Sequence, residues 1–409
     1  MATSKRRSVD ISAWDLTEPS TFLRPELHDF WKEVRRELPI YWHPDNNTVR
    51  PGFWVVSRYD DVVRCYRDAS RLGSSRGTVL DVLLRGDDSA GGRMLPVTDG
   101  EWHRKLRKLM RSALTMPLMK AAGELAAQQL EDTIGKLCDG RVFDFASEVA
   151  EKVPISITCS LLGIPASDVP WLLSCSKRAL SSEIPSTEWI DALEARNEIL
   201  IYLGDLARLR RQAPGRDVVS AIATATIDGE RLPLDDVALN CYSLILGGDE
   251  SSRVSSISAV QVFADRPDIW KQVRTGAVDL DSTVEEILRW ATPAQHFART
   301  ATESFPLRGQ EIIEGDIVTL WNISANYDEA QFDRPREFLP TRSPNRHVSL
   351  GVGPHFCLGA WLGRAELKAF LIALTTHVTA MEIVGDIRPI HSTFLRGAAS
   401  LPVRFNGVN

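Results

Sequence analysis

Ser349-Leu350-Gly351-Val352-Gly353-Pro354-His355-Phe356-Cys357-Leu358-Gly359 decides the reading of this chain. Two glycines and a proline make an irregular loop, and a single cysteine follows. Beyond it, Leu358, Leu362, Ala365, Ala369 and Ile372 recur at steps of four and three, which predicts one apolar helix face. Cys357 therefore stands just before a helix N-terminus. Free N–H groups and the positive end of the helix dipole favour a thiolate there. A thiolate fixed in a Gly-rich loop is a metal ligand or a nucleophile. The bland alternative is a buried cysteine ahead of an ordinary helix.

Working outward, the 409 residues are 44% hydrophobic and 25% charged, ordinary globular composition for a large core. A net charge of −6 gives no reason to expect nucleic-acid binding. Six cysteines (Cys65, Cys138, Cys159, Cys175, Cys241 and Cys357) form no CxxC pair, which suits a reducing cytoplasm. The basic start, Lys5-Arg6-Arg7, has no apolar stretch behind it, and no run of about 18 apolar residues occurs. The expectation is one domain over 1–409, cytoplasmic, away from membranes, with a loose N-terminus over roughly 1–20.

Pro25 to Leu38 reads as an amphipathic helix with Leu27, Phe30, Trp31 and Val34 on one face. Ile40-Tyr41-Trp42 and Phe53-Trp54-Val55-Val56 read as strands, with Asn46-Asn47 and Pro51-Gly52 as turn residues. A helix begins near Asp60. Ser74 to Asp99 is a long, weakly periodic loop with apolar Val79, Leu80, Leu83 and Leu84 inside, either a lid or core filler. Glu101 to Leu114 is a basic helix, and Leu118 to Arg211 reads as consecutive helices with a mobile connection around Ser181 to Trp189. Pro233 to about Ala264 reads as one long helix with Pro233 in its first turn, roughly thirty residues or ~45 Å at ~1.5 Å per residue. Gly247-Gly248 in its middle costs on the order of 1 kcal/mol per glycine relative to alanine, so a specific reason for the pair is expected. Another helix starts at Ser282, which forms a capping-box pattern with Glu285. After Pro293 the chain turns β-like, with strands at Ile312-Ile313 and Ile317–Leu320. Ala325 to Asn345 is irregular, and a β-like tail near Leu401-Val403 closes the chain.

The spacing Gly-x-Gly-x-His-x-Cys-x-Gly resembles the haem-binding loop of the cytochrome P450 family, and the resemblance extends over nearly the whole chain. It implies the P450 fold, mainly α with a smaller β-rich part. It makes haem b (iron protoporphyrin IX) the cofactor and Cys357 the iron ligand. Gly359 would let the following helix pass close under a flat ring. Leu350 stands where the family usually has phenylalanine. Glu286 and Arg289 match the family's Glu-x-x-Arg pair, which holds an irregular segment before the haem loop. In that segment Tyr327 replaces a usual arginine and Arg336-Glu337 are in reversed order, so the arginine that completes the ionic triad stays open. His103, Arg107, Arg299 and His355 match the positions that bind the haem propionates, a task that suits cationic donors.

Gly247-Gly248-Asp249-Glu250-Ser251-Ser252 corresponds to the family's small-Gly-x-acid-Thr-Thr stretch across the distal face of the haem. The resemblance makes Gly247 and Gly248 the residues that leave room for dioxygen. Glu250 becomes the proton-relaying acid and Ser251 the hydroxyl. Serine at that place can bond the carbonyl of Gly247 and bend the helix. Substrate contacts are implied for Val79, Leu80, Leu83, Leu84, Leu244, Ala294, Gln295, Phe297 and Phe394, a mostly apolar set. The implied reaction is insertion of one oxygen atom from O2 into a medium-to-large hydrophobic substrate, as hydroxylation or epoxidation, in secondary metabolism. Oxidative ring formation or coupling, and a non-catalytic haem-thiolate sensor, are the alternatives. Electrons would come from NAD(P)H through a ferredoxin reductase and a ferredoxin, docked on Arg104, Lys105, Lys108, Arg111, Arg364 and Lys368.

Overall fold

The computed structural model describes residues 10–45, 48–180 and 189–407. Helix α1 (Leu27–Glu37) buries the predicted face, Leu27, Phe30, Trp31 and Val34. The stretch over 10–20 is not loose. Short turns at Ile11–Ala13 and Pro19–Leu23 press Trp14 onto Phe30, with ring centroids 4.4 Å apart, and bury Leu16 completely. Apolar residues are sparse there, but each is large enough to anchor its turn.

Of the predicted strands, those over 40–42, 53–56 and 317–320 lie in a five-stranded sheet, whereas Ile312 ends the strand Gln310–Ile312 of a separate two-stranded hairpin with Phe305–Leu307 and Ile313 lies outside it. The order of the five-stranded sheet is Ile40–Pro44, Gly52–Val56, Ile317–Trp321, His296–Ala301 and Leu72–Gly73. The third strand runs parallel to the second, with Val318 opposite Trp54, and antiparallel to the fourth, with Val318 opposite Arg299. This register fixes Arg299 on the sheet and brings Leu72–Gly73 beside it. Pro51-Gly52 makes its turn with Gly52 at φ +146°, whereas Asn46-Asn47 lie outside the described residues.

Helix α2 (Tyr59–Arg67) follows as expected, and the long loop after it contains a short helix, α3 (Leu80–Arg85). Leu80, Leu83 and Leu84 are buried in an aromatic cluster with Trp31 and Trp321, so they fill core. The basic helix is α4 (Gly100–Ala113). In the region read as consecutive helices, α5 (Met116–Lys136) is followed by a strand, Asp139–Asp144, paired with the C-terminal Pro402–Gly407 strand. A π-helical turn, Ala146–Ala150, then leads into α6 (Lys152–Leu162), α7 (Val169–Leu180), α8 (Trp189–Gln212) and α9 (Val218–Thr224). The strand was hidden because its pairing partner lies at the far end of the chain. The mobile connection expected between α7 and α8 falls on 181–188, outside the described residues.

The long helix is two helices, α10 (Leu234–Gly248) and α11 (Glu250–Asp265), broken at Asp249 with φ −85° and ψ −73°. Pro233 is the N-cap of α10 and not its first residue. The two glycines have different reasons for being there. A Cβ on Gly248 would lie 2.7 Å from Thr158 Oγ1 of α6, so Gly248 permits close helix packing. A Cβ on Gly247 would meet nothing within 4 Å.

After α12 (Pro267–Arg274), helix α13 (Leu280–Ala291) is capped by Asp279, whose carboxylate accepts from the Ser282 N–H at 2.8 Å. The capping box from Ser282 is therefore corrected: a charged acceptor three residues earlier takes the cap. A short α14 (Asn322–Ala325) leads to the irregular segment, and α15 (Ala360–His377) follows the cysteine loop. Its buried face is Leu367, Phe370, Leu371 and Leu374, and Ile372 is 47% exposed. The apolar stripe read from Leu358 to Ile372 was rotated because α15 packs on α5, α11 and α13, more than one neighbour. Among the described residues no helix is long and apolar enough to cross a membrane.

The two glycines make a paired test. Gly247→Ala should raise stability by up to about 1 kcal/mol through helix propensity. Gly248→Ala should lose that gain and fall below wild type in thermal unfolding.

Candidate active site

The cysteine loop is closed by its own backbone. Gly351 and Gly353 adopt φ +69° and +76°, and a Cβ on Gly353 would stand 2.9 Å from the Tyr66 carbonyl. The Cys357 N–H donates to Leu350 O at 2.8 Å, and the Gly351 N–H donates to Val348 O at 2.8 Å. Burial pushes the Cys357 thiol up, against the Gly359 backbone, Arg107 and Arg364, which pull it down. Position ahead of a helix thus does not by itself produce a thiolate here, because desolvation outweighs it. A bound metal cation would, since a coordinating thiol is deprotonated outright. A Cβ on Gly359 would meet no atom within 4 Å, leaving room for a planar group beside the sulfur.

The four residues expected to bind carboxylates form one neighbourhood. The rings of His103 and His355 lie 4.1 Å apart. His103 Nε2 is 3.2 Å from Pro354 O, and His355 Nε2 is 3.3 Å from Ser74 Oγ and 3.7 Å from Asp99. Arg107 donates to the Phe356 carbonyl inside the loop. Arg299 is 4% exposed and donates to Ala298 O at 2.8 Å, with its guanidinium 5.6 Å over the Tyr66 ring. Among the described residues it has no ion pair, and burial pushes its pKa down. A buried cation without an anion is costly unless a ligand supplies the charge. This is the observation that fits haem: an anionic edge for Arg299, a sulfur at Cys357 and open space at Gly359.

On the other side, Ser251 Oγ donates to Gly247 O at 2.9 Å, the predicted bond, and both residues are exposed on one face. Gly247 leaves space there, whereas Gly248 faces Thr158 and is a packing residue. Glu250 accepts from Arg253 at 2.8 and 3.2 Å, so a guanidinium already occupies one of its oxygens. Sequence reading missed Glu366 on α15. It accepts from Ser252 Oγ at 2.6 Å, and burial raises its carboxyl to about 7. Its signal was present as an acid among the apolar residues of a predicted helix.

The apolar positions separate into groups. Ala294 bridges to Leu395, the Gln295 N–H donates to Phe394 O at 2.8 Å, and Phe297 meets Phe394 edge-on at 5.4 Å. Gln295 Nε2 donates to Thr393 O at 3.1 Å, and its Oε1 is buried without a partner. Leu80, Leu83 and Leu84 turn into the aromatic cluster with half-buried Val79 ahead of them, and Leu244 packs on the main core. Thr393 Oγ1 also donates to Asp81 of α3 at 3.1 and 3.2 Å, a link no sequence pattern revealed.

Glu286 and Arg289 are fully buried and joined at 2.7 and 2.8 Å. The third member is Arg342, whose Nε lies 3.0 Å from Glu286 Oε2, whereas Arg336 pairs with Asp29. Asn345 Nδ2 and the Leu339 N–H complete the shell of Glu286 at 3.0 and 2.9 Å. Tyr327, in place of an arginine, donates to Trp290 O at 2.8 Å. Beside the loop, Glu285 binds Arg364 at 2.6 Å and His347 at 3.2 Å.

Comparison with known proteins bears directly on this geometry. A family profile described as Cytochrome P450 matches residues 279–388. Cytochrome P450 NovI of Streptomyces niveus is 37% identical over 401 residues, 96% of each chain. The chain belongs to the cytochrome P450 family. A steroid C26-monooxygenase of Rhodococcus jostii is 30% identical over 401 residues, 96% of this P450 and 84% of that protein. The crystal structure of P450 OxyD, involved in the biosynthesis of vancomycin-type antibiotics, superposes with a TM-score of 0.88 at 34% identity, covering 97% of this P450 and all of that chain. The P450 is thus a monooxygenase-family oxidoreductase whose cofactor is haem b.

Two outcomes follow from the charges. Arg342→Ala removes one of the two guanidiniums on the buried Glu286 carboxylate and leaves Arg289 in place, so it should cost about 1.5–3 kcal/mol, the worth of one hydrogen bond to a charged group, read from denaturant unfolding. Glu285 is held at about 2, below its usual 4.5; burial opposes this, and His347 and Arg364 overcome it. Because the folded value is depressed, its stabilisation is complete above the unfolded value and is lost as pH falls toward the folded one. Glu285→Gln should therefore lower the melting temperature at pH 7, with the gap narrowing steadily below about 4.5.

Proposed function

We propose that this P450 inserts one oxygen atom from O2 into a medium-to-large hydrophobic substrate, by hydroxylation or epoxidation, in cytoplasmic secondary metabolism. Buried Arg299, with no ion pair among the described residues, is the observation that carries the reading, because it calls for a ligand with a carboxylate edge above the Cys357 loop. Haem bound there supplies an iron that can be reduced and can bind O2. His103, His355, Arg107 and Arg299 would hold its propionates, and Cys357 its iron.

The remaining work falls to this chain's own side chains. Ser251, fixed by Gly247 O, presents a hydroxyl on the open face and can pass a proton across it. Phe297 and Phe394 give an apolar wall, and Gln295 Oε1 gives one acceptor for a polar group on the substrate. Leu80, Leu83 and Leu84 reach a substrate only if α3 leaves the aromatic cluster, whereas half-buried Val79 lies ahead of that helix and outside the cluster. Support for secondary metabolism comes from the antibiotic pathway in which OxyD is described as taking part.

For electrons, a ferredoxin served by an NAD(P)H-dependent reductase fits the basic face of α4. Lys105 pairs with Asp228, Arg364 with Glu285 and Lys368 with Asp281. Arg104, Lys108 and Arg111 remain as its exposed cations among the described residues.

Titration of the ferric enzyme with a library of steroids, terpenoids and aromatic compounds tests the reading. Hydrophobic members should displace the resting spin state, and Gln295→Leu should weaken those with a hydrogen-bond donor by roughly tenfold, the worth of one hydrogen bond. No response from any apolar compound, or a Cys357→Ala protein with an unaltered carbon monoxide difference spectrum, would overturn it.

A further inference from the structure

The break between α10 and α11 gathers, among the described residues, more carboxylates than cations. Asp249 is 2% exposed and Glu250 6%. Glu250 accepts two bonds from Arg253. Arg253 Nη1 is 3.7 Å from Glu151, and Glu151 binds Lys177 Nζ at 2.6 Å. Lys177 is 36% exposed, so this chain of charges reaches solvent. Among the described residues it holds three carboxylates, Asp249, Glu250 and Glu151, against two cations, Arg253 and Lys177. Asp249 is the carboxylate for which no ion pair is found among the described residues, and its Oδ1 is buried with no hydrogen-bond partner. The groups facing it are Cys159 of α6, Glu151 of the π-helical turn, Lys177 of α7, and Glu250 and Arg253 of α11.

Of two adjacent buried carboxylates, the one without a guanidinium is the one that holds a proton. Among the described residues Arg253 donates its two short bonds to Glu250 and none to Asp249. We propose that Asp249, and not Glu250, stores the proton that this site delivers toward Ser251. In the resting arrangement Asp249 carries the proton, and Glu250 accepts the two bonds from Arg253. Delivery breaks the O–H bond of Asp249 and forms one on Glu250, beside Ser251. Arg253 then pairs with the new Asp249 carboxylate, and the charge of the set is unchanged. Once the proton has moved on and Glu250 is a carboxylate again, the Lys177 ammonium releases a proton that passes by way of Glu151 to the Asp249 carboxylate, and Lys177 regains one from water. No electron moves in these steps. Burial, followed by the charge of Glu250, pushes the Asp249 carboxyl well above its usual range, with Glu151 adding to this and Arg253 and Lys177 opposing it. Glu250 occupies the family's acid position, so this assignment goes beyond the monooxygenase reading on which it rests.

Infrared spectroscopy of the ferric holoenzyme tests the assignment without turnover. At neutral pH a protonated-acid carbonyl band should be present. It should shift on labelling with carboxyl-labelled aspartate, disappear in Asp249→Asn and persist in Glu250→Gln. Glu366 contributes a band of its own that ignores the aspartate label. Absence of any label-sensitive band, or loss of the label-sensitive band in Glu250→Gln instead, overturns the proposal, and the labelling result needs no variant to fold. As a second readout, the reduced enzyme mixed with aerated buffer should return to ferric severalfold more slowly in Asp249→Asn. Its solvent deuterium effect should also differ, and Asp249→Glu should restore both. An unchanged rate and isotope effect overturn the proposal. The carbon monoxide difference spectrum of the same samples reports on the haem site separately, so a failed haem site is told apart from a failed proton assignment.

Discussion

A carboxylate with nowhere to go governs the C-terminal half of the molecule. Glu286 is wholly buried, and an ion in that setting tolerates no missing partner. Arg289, Arg342, Asn345 and the Leu339 amide surround it. Three of those groups lie in a segment with almost no regular structure. Arg289 also donates to the carbonyls of Asn326 and Pro335, so one side chain gathers several turns of otherwise free backbone. Asn326 in turn receives the Val348 N–H and donates to Ser349 Oγ. The cysteine loop therefore starts from an anchored point, although nothing in its own composition would fix it.

From that anchor the site is assembled by pairings distant in sequence. Ser349 Oγ donates to Leu288 O of α13, and Ser252 at the start of α11 bonds Glu366 two turns into α15. The cysteine and the serine hydroxyl thus belong to one rigid frame through α15. The carboxylate-binding group draws on four separate stretches, the sheet strand of Arg299, α4, the loop itself and the Ser74 turn. The β-sheet register decides whether Arg299 points to them. One residue of slip would turn its guanidinium to the opposite face.

Much of this was legible in the sequence because it was local or tied to fixed spacing. The Gly-x-Gly loop, the Ser251-to-Gly247 bond and the amphipathic α1 depend on neighbours within a few residues. What the sequence hid was decided by partners far along the chain. Arg342 could not be chosen over Arg336 without knowing which of them reaches α13. The strand at Asp139–Asp144 exists because Pro402–Gly407 lies beside it. The cap of α13 went to Asp279 by competition between two adequate acceptors. The role of Gly248 needed Thr158 of another helix to explain it, and the burial of Trp14 and Leu16 needed α1 and the sheet to cover them. The pairing of Glu250 with Arg253 needed the enclosure of both by α6 and the π-helical turn to show itself.

The short helix Leu80–Arg85 is held by two unlike attachments. Its leucines are inserted among tryptophans, and Asp81 is hydrogen-bonded to Thr393 in the C-terminal loop. Withdrawing three buried leucines costs roughly 1.5–3 kcal/mol each, so the open form is a rare excursion at room temperature. A molecule that came in from that side would wait for the protein to part, and its arrival rate would follow the frequency of that parting more than its own concentration. Warming, or trimming one of the leucines, would then act on admission before it acted on chemistry.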